Sequence, residues 1–135
     1  MSRLLKKKFK IINSKNGNIY KIKYFSKINN EVYINKIFPK KKKGWIFHLK
    51  NTCNLFLIYG KARILLVDKK TNKIKKIKLN VNKYYNNVVV PPKKWFALEN
   101  LSNSSEAIFL NILSGKHSSK ESLKKDVYLY KKFVA

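Results

Sequence analysis

Three short apolar segments lie between residues 43 and 68, in the sequence KGWIFHLKNTCNLFLIYGKARILLVD. They cover residues 45–49, 54–59 and 62–68, lengths that are typical of β-strands and short for helices. The residues between them are rich in Asn, Thr, Gly and Lys, a composition typical of turns. This part of the chain therefore predicts antiparallel β-structure, with a hairpin turn at Gly60–Lys61.

The same pattern of short apolar runs extends to both sides of this region. Further candidate strands are residues 19–25, 31–38, 73–79, 86–90, 95–100 and 106–113. Nine short strands separated by turn residues predict an all-β antiparallel sandwich or barrel, with residues 54–59 near its centre. Residues 69–72 should form a second hairpin turn, and Pro91–Pro92 should end the strand before them because proline donates no backbone hydrogen bond.

A chain of 135 residues suits one domain with one core. We expect a basic N-terminal segment at residues 1–16, the barrel at residues 17–117 and a tail at residues 118–135. A serine at the start of the tail and apolar residues on one helical face allow a short helix there.

The charge of the chain is strongly positive, +26, and the basic residues are thirty lysines and two arginines. Abundant Lys, Asn and Ile indicate an AT-rich genome, but that bias does not account for the presence of only six acids. Such a field attracts polyanions without specificity. Specific nucleic-acid recognition favours arginine, so the composition weighs against it.

No apolar run approaches the roughly 20 residues of a membrane span, and no apolar segment of signal-peptide length follows the basic N-terminus. The single cysteine, Cys53, excludes an internal disulfide and a thiolate zinc site. A cytoplasmic protein is predicted.

Two spacings in the chain resemble the two sequence motifs of the cupin superfamily. The positions of the first motif hold Ile46, His48, Cys53 and Gly60. The positions of the second motif hold Pro91, Lys93, Phe96 and Asn100. The resemblance implies a cupin-like β-sandwich, or jelly-roll barrel. Cupins bind a divalent metal through three histidines and a carboxylate, and those four positions are here Ile46, His48, Cys53 and Phe96. We therefore expect no metal and no other cofactor.

Residues 44–52, 91–95 and 99–102 are similar to the metal-independent sugar-nucleotide branch of the cupins. This branch contains dTDP-4-dehydrorhamnose 3,5-epimerases and dTDP-sugar 3,4-ketoisomerases. The resemblance implies a nucleotide-linked sugar as ligand, a homodimer, and proton abstraction beside a keto group by a histidine of the barrel. The position of that histidine is Ile46 in this chain, so His48 is the remaining candidate for a catalytic residue.

Seven further residues are candidates for substrate binding. Four cations could contact the phosphates of a nucleotide, and three aromatic residues could stack on a ring or line the cavity. These residues are Lys43, Lys50, Lys61, Arg63, Trp45, Trp95 and Tyr59. Core or rim packing is the alternative for the aromatic residues, as it is for Tyr33.

Three functions are consistent with these features. The first is an isomerase or epimerase that acts on a keto-deoxysugar nucleotide in surface-polysaccharide biosynthesis. The second is a catalytically inactive relative that binds a sugar nucleotide or partners an active enzyme. The third is a basic nucleic-acid-associated protein.

Overall fold

The computed structural model describes residues 10–22, 31–81, 87–115 and 120–126. Within these ranges the chain is all-β and contains eleven strands. The strands are β1 Lys10–Ser14, β2 Gly17–Ile22, β3 Glu31–Ile37, β4 Lys42–His48, β5 Cys53–Tyr59, β6 Lys61–Asp68, β7 Lys73–Asn80, β8 Asn87–Val90, β9 Trp95–Asn100, β10 Ala107–Leu113 and β11 Ser122–Lys124.

The strands form two antiparallel sheets. The larger sheet has the order β1-β2-β3-β10-β5-β8, and the smaller has the order β11-β4-β9-β6-β7. Their facing sides enclose a core that is tightest around β5, β6 and β10, where Leu55, Ile64 and Phe109 are fully buried. The predicted antiparallel β-sandwich is confirmed.

Alternation of side chains explains why these segments are strands. In β10 every second residue from Ala107 to Leu113 is buried, because successive side chains of a strand point to opposite faces. All nine predicted strands are present and most have shifted ends, while residues 23–25 and 86 of the predictions lie outside the described residues. The hairpin at residues 69–72 is confirmed, since β6 pairs with β7, and β8 ends directly before Pro91 as predicted.

The predicted hairpin at Gly60–Lys61 is wrong. Strands β5 and β6 belong to different sheets, so this turn carries the chain across the sandwich. Gly60 has a φ of +90°, and a Cβ atom there would lie 2.6 Å from the carbonyl oxygen of Glu106. The turn is this tight because the chain passes against the start of β10. Strand β5 is also less central than expected, since it lies next to the edge strand β8 and leaves Ile58 and Tyr59 exposed by 52 % and 55 %.

The two ends of the barrel also differ from the expectation. Strand β1 lies inside the segment that was predicted as a basic N-terminal extension, and it pairs with β2. In the tail, Ser122–Lys124 pairs with β4 as a strand and not as part of a helix. Residues 118–119 and 127–135 of the predicted tail lie outside the described residues. Within the described ranges, no helix is long and apolar enough to cross a membrane.

Candidate functional site

A cavity of about 260 Å³ lies between the two sheets, on the side of their edge strands β1 and β11. Seven strands line this cavity, and each contributes two residues at positions i and i+2. This spacing is expected because every second side chain of a strand faces the same side. These pairs are Lys10 and Ile12, Ile19 and Lys21, Tyr33 and Asn35, Ile46 and His48, Phe96 and Leu98, Asn111 and Leu113, and Ser122 and Lys124. Leu55 completes the wall.

His48 lies in this wall and forms a buried pair with Glu121, which lies behind it. The Nδ1 atom of His48 lies 2.7 Å from Oε2 of Glu121. The other carboxylate oxygen, Oε1, accepts hydrogen bonds from the backbone N–H groups of Asn51 at 2.9 Å and Lys50 at 3.3 Å. Burial alone would raise the pKa of Glu121, but the hydrogen bond to His48 and the backbone N–H groups outweigh it and lower this pKa below its ordinary value. Glu121 is therefore an ionised acceptor that orients the imidazole.

Tyr33 lies in the opposite sheet and has a carboxylate partner of its own. Its hydroxyl donates a hydrogen bond to Oε2 of Glu31, and the Nζ atom of Lys21 lies 3.6 Å from the other oxygen of that carboxylate. Burial, followed by the hydrogen bond and charge of Glu31, raises the pKa of Tyr33. Each sheet thus contributes to the cavity one side chain that is hydrogen-bonded to a carboxylate, His48 to Glu121 and Tyr33 to Glu31.

The four positions of the cupin metal site do not suit a metal ion here. Ile46 and Phe96 place apolar side chains beside His48, and the Phe96 ring stacks on the imidazole with centroids 6.2 Å apart. Cys53 is fully buried in the core, and burial is the main reason that its thiol pKa is raised to about 12. Among the described residues no group of three or more His, Cys, Asp or Glu side chains is placed to hold a metal. We therefore derive no chemistry through a metal.

The structure places one of the eight candidate residues, His48, in the wall of the cavity. Lys43 is partly buried in β4, and its pKa is lowered to about 8 by burial and by the charge of Lys124. Lys50, Lys61 and Tyr59 are exposed and do not line the cavity.

The other three candidate residues lie on or beside the outer side of the smaller sheet. Trp45 is 1 % exposed and packs in an outer cluster with Leu65, Val67 and Ala97, against which Trp95 also packs. Arg63 is engaged in an ion pair with Glu99, which Lys42 also approaches at 3.2 Å. Both tryptophans therefore pack against other hydrophobic residues, which was the alternative to a role in ligand binding.

Sequence reasoning missed Glu121 and Asn111. Glu121 is separated from His48 by 73 residues, so no local motif connects them. The scarcity of acids is the one signal that was present, because each of only six acidic residues in so basic a chain merits attention. Asn111 lies within the predicted strand at residues 106–113, and the pairing of β10 with β3 and β5 brings it to the cavity.

Comparison with solved structures identifies the fold. The capsular polysaccharide assembling protein CapF from Staphylococcus aureus matches at a TM-score of 0.76 and 14 % identity, over 87 % of this chain and 32 % of CapF. Oxalate decarboxylase of Lactobacillus farciminis, in its formate complex, matches at a TM-score of 0.73 and 13 % identity, over 91 % of this chain and 35 % of that one. A mutant oxalate decarboxylase of Bacillus subtilis matches at a TM-score of 0.73 and 18 % identity, over 90 % of this chain and 31 % of that one.

The chain spans about a third of the length of these structures. No family model matches its sequence, and neither does any curated protein sequence. The two facing antiparallel sheets and these structural neighbours show a cupin-like antiparallel β-sandwich. The relationship to dTDP-sugar epimerases and ketoisomerases stays a prediction.

Proposed function

We propose that this chain is a cupin-fold isomerase or epimerase that acts on a keto-deoxysugar nucleotide in surface-polysaccharide biosynthesis in the cytoplasm. The observation that carries the proposal is that His48 lines a cavity and is joined at 2.7 Å to the buried carboxylate of Glu121. A carboxylate that holds one ring nitrogen of a histidine is the usual way to prepare the other nitrogen for proton transfer.

The chemistry follows from the tautomer that Glu121 favours. With the proton on Nδ1 donated to the carboxylate, Nε2 is the proton acceptor of the neutral imidazole. In the proposed reaction Nε2 takes a proton from the sugar carbon next to the keto group, which leaves an enolate. For isomerisation the imidazolium returns this proton to the neighbouring carbon of the enediolate. For epimerisation a water molecule on the opposite side of the enolate donates a proton to the same carbon, and the imidazolium releases its own proton to solvent. The resulting imidazolium is stabilised by the ionised Glu121.

Charge and size support an anionic sugar as the ligand. Lys10 and Lys124 are exposed and lie on the edge strands that border the cavity, so phosphates can approach them from solvent. A volume of about 260 Å³ is near the small end for ligand pockets and suits a sugar ring better than a whole nucleotide sugar. The nucleotide would then lie outside the cavity, past the lysines.

Deuterium exchange tests this proposal. Incubation with dTDP-4-keto-6-deoxyglucose in heavy water should place deuterium on the sugar carbon next to the keto group, as read by mass spectrometry. His48→Ala should abolish exchange, and Glu121→Gln should slow it by about 100-fold. Glu106→Gln is the matched control, because Glu106 pairs with Lys36 away from the cavity. Exchange at the wild-type rate in His48→Ala would contradict the proposed role of His48.

A second candidate is a relative that binds the same ligand without turning it over. The observation in its favour is that Ile46 and Phe96 place apolar side chains beside His48, where a second ionisable group would assist proton transfer. Binding of sugar nucleotides with no exchange in heavy water would favour this candidate.

The predicted homodimer is also a proposal. Strand β1 is an edge strand, all five of its residues are exposed, and two of them are the apolar residues Ile11 and Ile12. An edge with these features is suited to pairing with another strand. Light scattering on the wild type and on Ile11→Lys should show a dimer that the substitution weakens.

A further inference from the structure

One row of five residues crosses the larger sheet in direct register. Lys10 pairs with Lys21, Lys21 with Tyr33, Tyr33 with Asn111, and Asn111 with Leu55. All five side chains line the cavity. Their chemistry changes in one direction, from two cations at the sheet edge, through two polar groups, to an apolar residue next to the core. A ligand lying along this row meets a charged, a polar and an apolar section in that order.

In the polar section, Tyr33 presents a hydrogen-bond acceptor. Its own proton is donated to Glu31, whose second oxygen is held by Lys21. A phenol that donates its proton in this way retains lone pairs on its oxygen. A ligand group in contact with this oxygen is therefore best matched if it is a donor.

Asn111 is the second polar residue of the row. Its side chain is 8 % exposed, and its Oδ1 atom is buried with no hydrogen-bond partner among the described residues. An unsatisfied buried acceptor costs about 1–3 kcal/mol, which a suitable donor would recover. Tyr33 and Asn111 are directly opposite each other on adjacent strands, and both line the cavity.

We infer that Tyr33 and Asn111 bind the hydroxyl groups of the sugar and so determine which way the ligand lies in the cavity. In this orientation the phosphates contact Lys10 and Lys21, the hydroxyls donate to Tyr33 and Asn111, and the least polar part of the sugar faces Leu55. The inference rests on the proposed function for the identity of the ligand. It adds a specificity-determining pair on the sheet opposite His48.

The test compares dTDP-glucose with dTDP by calorimetry, because only the first carries sugar hydroxyls. The ratio of the two affinities measures what the sugar contributes. Tyr33→Phe and Asn111→Leu should each lower this ratio by about five- to tenfold, the worth of one hydrogen bond. Lys10→Met should weaken both ligands alike and leave the ratio unchanged, because Lys10 lines the cavity at the sheet edge. Tyr20→Phe is the matched control, since Tyr20 lies one residue from Lys21 in β2 and does not line the cavity.

Each outcome decides a different point. An unchanged ratio in Tyr33→Phe and Asn111→Leu, or equal wild-type affinity for dTDP-glucose and dTDP, overturns the inference and leaves the proposed function standing. Absence of binding of both ligands to the wild type overturns both. Asn111→Ser replaces Asn111→Leu if the latter does not fold, because its shorter side chain also withdraws the acceptor.

Discussion

The imidazole of His48 in β4 and the carboxylate of Glu121 at the start of β11 are hydrogen-bonded at 2.7 Å, across 73 residues of sequence. The contact exists because β11 pairs with β4 and sets Ser122 opposite His48. Glu121, one residue earlier, then accepts from His48 and from the backbone of the turn that follows β4. The pair therefore joins the tail to the barrel and holds His48, which lines the cavity.

Glu121→Gln should destabilise the fold by about 2 kcal/mol at pH 7, because a buried charge-assisted hydrogen bond is weakened. Folding lowers the pKa of Glu121 from its ordinary value of 4.5. Its contribution is therefore complete above pH 4.5 and is lost as the pH falls through the lower folded value. Thermal unfolding from pH 7 to 3 should show a steeper loss of stability for the wild type than for Glu121→Gln. Parallel curves would contradict this contribution.

Lys43→Met should stabilise the fold by about 2 kcal/mol at pH 7, since a partly buried cation is removed. Folding lowers the pKa of Lys43 from 10.5 to about 8. The folded state is therefore penalised in full below pH 8, and the penalty disappears as the pH rises to 10.5. Urea unfolding should show a gain for Lys43→Met at pH 7 that shrinks at pH 10. Lys41→Met, at an exposed position nearby, is the control and should change little.

Gly60→Ala should destabilise the fold by about 2 kcal/mol or more, as measured by urea unfolding. The added Cβ would lie 2.6 Å from backbone oxygen of Glu106, at a φ of +90° that an L-residue rarely adopts. Asn72→Gly is the matched control at another positive φ, 55°, and should be neutral or stabilising. A neutral Gly60→Ala would mean that the crossing between the sheets is looser than described.

Asn100→Ala should destabilise the fold by about 3 kcal/mol, because several buried and partly buried hydrogen bonds are lost together. The Nδ2 atom of Asn100 donates to the carbonyl oxygens of Ile37 at 3.1 Å and Ser105 at 2.8 Å, and Oδ1 accepts from the backbone N–H of Ser102 at 2.8 Å. Denaturant unfolding measures the loss. Asn54→Ala, which removes one exposed hydrogen bond to Asn87, should cost well under 1 kcal/mol.

Substitution of the four exposed lysines of β7 by Gln should weaken binding to duplex DNA. If all four contact phosphates, the slope of the logarithm of the binding constant against the logarithm of the salt concentration should fall in magnitude by about 3 to 4. None of the four forms an ion pair with a described residue. These residues are Lys73, Lys75, Lys76 and Lys78. The control is the quadruple Gln variant of the exposed lysines Lys41, Lys50, Lys93 and Lys94. Equal slopes in the two variants would contradict a special role of the β7 lysines in DNA binding. Their role would then be to protect the edge of the sheet from pairing with another strand.

Most of the fold was predictable because its signals are local. Strand length, alternation and the proline pair at 91–92 depend on neighbouring residues, and they located nine strands and the hairpin at residues 69–72. The two strands that were missed, β1 and β11, lie in strongly basic segments whose pairing partners decide their conformation. The turn at Gly60 was misjudged because a glycine between two strands signals a turn without telling which sheet the next strand joins.

The candidate site was predictable only at His48, and for a physical reason. The sequence by itself determined the antiparallel sandwich, the apolar residues Ile46 and Phe96 at two positions that resemble cupin metal ligands, and the positive field of the lysines. Only the tertiary structure decided that Trp45 packs on the outside of a sheet, that Glu121 reaches His48, and that Tyr33 and Asn111 lie side by side. Contacts of that kind depend on strand order and register, which arise from the packing of the whole core and from no single stretch of chain.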